Sequence, residues 1–544
     1  MRLFRTLSTA LIGAAVIGSP AFAQIAPKPA VAQTQTAVAK ETPKAGGQLK
    51  FSVVAEPPNY DCHASTTFAL IHPVAPHYST LLKFDTARYP KVIGDLAKSW
   101  TASPDGLSYT FKLHDGVKFH DGSPLTSADV KASYDRIANP PAGVISARKA
   151  YYADIGSIDA PDPATVIFKM KTPVAGMLES LASPYNCIYS AAKLKADPRF
   201  PENNILGSGA FSFVEHVKGS SWEGKKFSGY FRKGLPYLDG YKAFFVKSNG
   251  VVPGMLGGQF DTEFRSRNPA ELAQLKEKMA DKLTVNEGPW VGSLIVIFNT
   301  KKKPFDDIRV RQALSLAIDR WGGSQALSKI SVLRHVGGVM RPGFDMALSP
   351  AELEKLPGYS RDIEASRAQA RKLLKEAGAE NLTFKLLNRN VAEPYTPGGI
   401  YVIDQWKRIG VTASHEQLET KLYIDSTTAG NFDVAIEFVN DYMDDPTAQF
   451  AKYLTKAASP VGYSGHEDVK LDQMYEKQRR IIDPVARKAF VQDMDRYAIR
   501  QAYNVPLLWY HRIIASNAAI KGWNFTPTHY VGQDLVEVWL DRKP

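Results

Sequence analysis

Strand-like and helix-like segments alternate along this chain without a fixed period. That irregularity excludes a barrel of eight repeated units and leaves a mixed α/β protein of more than one domain. Length agrees, because 544 residues exceed what one hydrophobic core ordinarily serves. Residues 48–54 read as a strand, and ordered structure should begin just before them, at Gly46-Gly47. Thr126 followed by Asp129 reads as a capping box opening a helix through Val130, Tyr134 and Ile137. Asp306-Asp307 precede a helical stretch with Val310, Leu314, Ala317 and Ile318 on one face. Residues 366–377 form another predicted helix, stopped by Gly378. Pro484 begins a long helix through Phe490, Met494 and Tyr497, and residues 505–516 turn β-rich.

The amino-terminal segment has the grammar of an export signal. Arg2 and Arg5 are basic, residues 7–17 are apolar, and Ala21-Phe22-Ala23 forms a small-residue cleavage site before Gln24. The apolar run is too short to span a bilayer, and no cysteine at the cleavage site offers a lipid anchor. Residues 24–45 are rich in Ala, Pro, Thr, Gln and Lys, and read as a flexible leader that buries too little to offset chain entropy. The expected location is the periplasm. There the only cysteines, Cys62 and Cys187, have the oxidising conditions to pair. Pairing is the expectation, and two buried free thiols are the other reading.

Hydrophobic residues make up 44% of the chain and charged residues 22%, ordinary values for a protein with a large core. The net charge of +12 is spread along the sequence, with Lys301-Lys302-Lys303 the only tight run, so it reads as solvated surface and not as a nucleic-acid site. Enzyme motifs are near-misses. The stretch from Gly219 to Lys226 has Walker-type spacing but lacks the closing Ser or Thr, carries Trp222, and reads as a loop. Ser190-Ala191-Ala192-Lys193 matches S-x-x-K without its companion elements. His415-Glu416 and His466-Glu467 lack a second histidine. His63, His72 and His77 fall close together but follow no standard metal-ligand spacing. No metal, no cofactor and no catalytic constellation is expected.

Leu96-Ala97-Lys98-Ser99-Trp100 leads into the run from Asp105-Gly106 to Leu113, then Gly116-Val117-Lys118-Phe119-His120-Asp121-Gly122. The pattern continues at Gly207-Ser208-Gly209-Ala210-Phe211, Gly258-Gln259-Phe260-Asp261, Phe298-Asn299 and Pro304-Phe305-Asp306-Asp307. It ends with Arg309-Val310-Arg311-Gln312-Ala313-Leu314, Leu373-Leu374-Lys375-Glu376-Ala377-Gly378 and Phe432-Asp433-Val434-Ala435. In this order, over nearly all of the expected mature chain, the blocks resemble the family 5 extracellular solute-binding proteins, which include dipeptide-, oligopeptide- and nickel-binding proteins. The turn dipeptides Asp105-Gly106 and Asp121-Gly122 make the first block a meander.

The resemblance implies a two-lobed α/β periplasmic binding protein fold with an extra subdomain in the first lobe and a ligand cleft between lobes. The first lobe would comprise residues 46–80, the extra subdomain 81–185, and residues 186–299. The second would span 300–504, with 505–544 returning to the first. It implies a monomer, not an enzyme, that delivers a peptide-like or other small polar solute to the membrane permease subunits of an ABC importer. An oligosaccharide- or nickel-binding member of the family, or a secreted hydrolase, are the alternatives. Carried over residue by residue, the ligand contacts are Thr66 and Thr67 after the Asp61-Cys62-His63 turn, Phe264 and Arg265, Trp290, Tyr395, and Trp509 and Tyr510. With a one-residue gap, Asp441 falls on the aspartate that pairs with a peptide's amino terminus, and Ile436 stands where some members carry a basic residue. Arg265, facing the cleft, would receive a carboxylate.

Overall fold

A computed structural model describes residues 42–542. The expected export signal, residues 1–23, and the leader up to residue 41 lie outside the described residues. Among the described residues, no helix is long and apolar enough to cross a membrane.

The frame is an 11-stranded mixed sheet. At its centre the strands Leu283–Phe298 and Asn504–Asn517 pair antiparallel. Their register breaks between Pro289 and Ser293 and again before Ile295, and the core changes there. Leu294, Val296 and Phe298 pack with Val310, Leu314, Val402 and Trp406 on one face. Ile295 and Ile297 pack with Tyr423, Val491, Met494 and Ala498 on the other. Side chains alternate across a strand, so the continuous run Leu294-Ile295-Val296-Ile297-Phe298 marks a strand covered by helices on both faces. Beyond the break, Ile513 and Ala515 join a separate core with Val251, Met255, Phe260 and Leu272. The partner strand therefore changes core between Tyr510 and Ile513, inside its own length.

Outward from Asn504–Asn517, the sheet continues through Thr262–Glu263, Gln48–Val53, Gly240–Phe245, Ser221–Lys226 and Phe211–Val217. On the other side it runs through Val434–Asn440, Thr383–Arg389 and Thr412–Leu418. A separate four-stranded antiparallel sheet contains Ala97–Ala102, Ser108–Leu113, Thr165–Met170 and Ile155–Asp162. Helix Ser127–Ala138 packs on it, with Tyr134 edge-on to Phe168 at 5.1 Å.

Local chemistry explains most boundaries. Thr126 and Asp129 form the capping box, Asp307 caps Ile308–Leu316, and Asp483 caps Pro484–Gln501. The helix expected from residue 366 begins earlier, at Ile363, because Asp362 supplies the cap by accepting from Ala365 N. The meander is incomplete. Gly106, at φ 69°, turns one hairpin, but the Asp121-Gly122 turn closes only a single bridge between Lys118 and Pro124. The Walker-spaced stretch is not a loop. Gly219 turns a hairpin, and Ser221–Lys226 is a strand with Trp222 fully buried. The Gly207-Ser208-Gly209 block serves close packing: a Cβ on Gly207 would sit 2.0 Å from His77 O.

Candidate functional site

The strand Val434–Asn440 delivers an acidic segment between the two halves of the molecule. Three of its carboxylates have different fates. Asp445 caps Pro446–Gln449 and pairs with Arg487 at 2.9 Å. Asp444 pairs with Arg341 at 2.8 Å. Asp441 makes no ion pair among the described residues, although the Arg148 charge in the same cavity lining lowers its pKa. It accepts from Tyr442 N at 2.6 Å and from the Tyr151 hydroxyl at 3.2 Å. Burial pushes its carboxyl up to about 6, with the two hydrogen bonds acting against that shift.

The facing wall is braced from beneath. Cys62 and Cys187 form a disulfide and are fully buried. Arg136 holds Asp61 through an ion pair of 2.6 Å, and Arg148 donates to the carbonyls of Cys62, His63 and Ser65. This anchoring presents Thr66 at the surface of a small cavity of about 60 Å³, lined also by Arg148, Tyr185 and Tyr530. Asn440, Asp441 and Tyr442 line the opposite side. Among the described residues, the Tyr185 and Tyr442 hydroxyls and Asn440 Oδ1 are buried without a hydrogen-bond partner. Unmet polar groups around a lone buried carboxylate are costly unless something else satisfies them.

Arg265 stands near this cavity. Its guanidinium lies over the Phe68 ring at 5.0 Å, and among the described residues it makes no hydrogen bond or ion pair. Burial raises the pKa of Tyr530; the Asp441 charge adds to that shift and the Arg265 charge opposes it, so both charges act on that ring. A second group of expected residues lies together outside this cavity's lining: Trp290 and Tyr510 are buried in the core with Leu294 and Trp406, and Tyr395 packs against it. Trp290 donates to His529 Nδ1 at 3.1 Å and stands edge-on to Tyr510 at 5.6 Å. The Tyr510 hydroxyl is buried without a hydrogen-bond partner among the described residues. Arg389, bound to Glu437, lies 5.1 Å from the Tyr395 ring.

Three expected contacts do other work. Thr67 caps Phe68–Val74 by accepting from Ala69 N. Phe264 is fully buried against Phe51 and Trp523. Trp509 is 1% exposed, and its indole N–H is taken by Gly338 O. The histidines also disperse. His63 binds Cys187 O and Arg136, His77 binds Phe211 O, Trp222 and Tyr241, and His72 binds His529 O. With both ring nitrogens of His63 and His77 engaged, these rings do not form a nickel site. Arg148, Tyr185, Asn440, Tyr442 and Tyr530 were not singled out in the sequence. Asn440 and Tyr442 had a usable signal as neighbours of Asp441; the others come from distant segments that only the fold brings in.

Comparison with known proteins places this geometry. The family model described as bacterial extracellular solute-binding proteins, family 5 middle, matches residues 91–460. The glutathione-binding protein GsiB of Pectobacterium atrosepticum is 35% identical over 309 residues, 56% of each chain. GsiB of Escherichia coli O157:H7 is 33% identical over 289 residues, 53% of each. The chain thus spans about half the length of the curated relatives it matches. Among solved structures, AgaA of A. tumefaciens R10 with agropinic acid superimposes with a TM-score of 0.77 at 23% identity, over 92% of this chain and 99% of its own. DppA of Helicobacter pylori with the peptide STSA gives 0.77 at 21% identity over the same shares. These likenesses establish the two-lobed fold.

Proposed function

The chain belongs to the family 5 bacterial extracellular solute-binding proteins, and on that premise we propose that it captures a small amine-bearing, peptide-like solute, such as glutathione or a short peptide, between two closing lobes. The observation that carries this reading is Asp441, a buried carboxylate that makes no ion pair among the described residues, in a cavity lined from both halves. A ligand ammonium would supply the missing charge, and the vacant acceptors around it would take its remaining protons. Arg265 would receive a ligand carboxylate. Trp290, Tyr395 and Tyr510 would form the aromatic wall along the ligand, with Thr66 on the first lobe.

The lobe boundary in this reading falls within the paired strands, near Tyr510, and the strands act as the hinge. The protein would be exported by cleavage after Ala23, without a lipid anchor, and would work as a periplasmic monomer that hands its ligand to the permease subunits of an ABC importer. It carries no catalytic role.

A thermal-shift screen of refolded, ligand-free protein tests the reading. The panel is glutathione, short peptides, oligosaccharides, opine-like compounds and nickel. A rise in melting temperature with a free-amine peptide or glutathione, absent in Asp441→Asn, supports it. A rise only with sugars or nickel overturns both the ligand class and the role of Asp441.

A further inference from the structure

The cavity that holds Asp441 has a second charge in its lining, Arg148. Arg148 is 4% exposed, and its guanidinium lies over the Tyr185 ring at 4.5 Å. Its hydrogen bonds go to three backbone carbonyls, one from Nη1 to Ser65 and two from Nη2 to Cys62 and His63. Those acceptors carry no net charge, and a second N–H on Nη1 is left over. Among the described residues Arg148 makes no ion pair, with Asp441 or with any other carboxylate. The cations around it are matched: Arg136 holds Asp61, Arg341 holds Asp444 and Arg487 holds Asp445. One carboxylate and one guanidinium thus line the same small space without being joined to each other.

That arrangement suits a bare ammonium poorly. Arg148 already favours the ionised form of Asp441, and it would repel a further cation brought into the same desolvated space. A group that carries both charges meets both residues and brings no net charge with it. At about 60 Å³ the cavity has room for about two waters, so its lining reads one end of a ligand and not its body.

Resting on the reading of Asp441 as the amine site, we propose that this cavity recognises an amino-acid head, an ammonium and a carboxylate on one carbon, as at the γ-glutamyl end of glutathione. Asp441 takes the ammonium from one half of the molecule. Arg148 and the Thr66 hydroxyl take the carboxylate from the other, so the head ties the halves together through opposite charges. Arg265 is left for a carboxylate at the far end. An ordinary α-linked peptide has an amide on that carbon and leaves Arg148 unmatched.

Four ligands titrated by calorimetry into refolded, ligand-free protein test this: glutathione, its α-linked isomer, 4-aminobutyryl-Cys-Gly without the head carboxylate, and glutaryl-Cys-Gly without the amine. Glutathione should bind tightest, with the α-linked and 4-aminobutyryl compounds at least about tenfold weaker and the glutaryl compound at least about 100-fold weaker. Arg148→Gln, with its melting temperature checked, should weaken glutathione at least about tenfold and hold the 4-aminobutyryl compound as well or better. A merely structural loss would weaken all ligands alike and overturn the assignment of Arg148. If that variant does not fold, the four ligands decide on the unsubstituted protein. Equal binding of glutathione and either the 4-aminobutyryl or the α-linked compound overturns the proposal and leaves the amine site standing. Equal binding of glutathione and the glutaryl compound, or no binding of any of the four, overturns the amine site as well.

Discussion

Where the strands Leu283–Phe298 and Asn504–Asn517 cross from one core to the other, the two halves are joined by ladder hydrogen bonds and buried apolar side chains. Around the acidic segment Tyr442, Met443 and Ala448 are buried in the facing half's core, but most of the remaining contacts between the halves are polar. Asp154 pairs with Arg479 at 2.8 Å and Arg480 at 3.0 Å, and Ala175 N donates to Arg479 O at 2.9 Å. The Tyr89 hydroxyl donates to Tyr442 O and accepts from Asp444 N, both at 3.1 Å. Water can replace each contact of the second kind at little net cost, whereas exposing the first kind costs about 25 cal/mol for each Å² of apolar surface. The contrast teaches where the molecule is built to open: along the seam, about the strands.

The largest expected effect tests the ligand's part in that seam. Asp441→Asn should weaken binding of a free-amine peptide by at least about 100-fold, since it leaves a desolvated ammonium unpaired. Calorimetric titration reads this directly, with the melting temperature of the ligand-free protein held or raised. Next comes the fixed wall opposite. Replacing Cys62 and Cys187 together by Ser should cost about 2–5 kcal/mol of stability in denaturant unfolding.

Protonation sharpens the comparison further. Asp441 titrates at about 6 in the ligand-free protein because burial penalises its charge, and a bound ammonium would hold it ionised and so lower its pKa. Affinity should therefore be flat above pH 6 and fall about tenfold per unit below it. The Asp441→Asn variant should lose that slope.

Smaller effects separate seam from hinge. Asp154→Ala removes a partner from two arginines that are only partly buried, so peptide affinity should drop about three- to tenfold, mainly through faster dissociation measured by stopped flow. Thr67→Ala removes a helix cap and should cost about 1 kcal/mol of stability while peptide affinity stays unchanged. Thr66→Ala, one residue away, should do the reverse.

The pair Thr66 and Thr67 also shows how far the sequence could be read. Capping boxes, helix starts after Asp307 and Asp483, and the block order were legible because each depends on residues a few positions apart. The adjacent threonines look alike in sequence, and only the start of Phe68–Val74 assigns one to a cap and the other to the cavity. Phe264 and Trp509 read as cleft aromatics, but tertiary packing decides which way each side chain points, and both are buried. Tyr530 lay beyond reach, since it arrives from the carboxy-terminal segment through tertiary packing against Tyr185. Asp441 was legible, but not that Asp444 and Asp445 would be neutralised beside it.

The most direct test is a calorimetric titration of refolded, ligand-free protein with matched short peptides whose amino terminus is free or acetylated. Tight binding of the free form with at least about 100-fold loss on acetylation is the predicted result. Equal binding of both forms would contradict capture of the amine by Asp441.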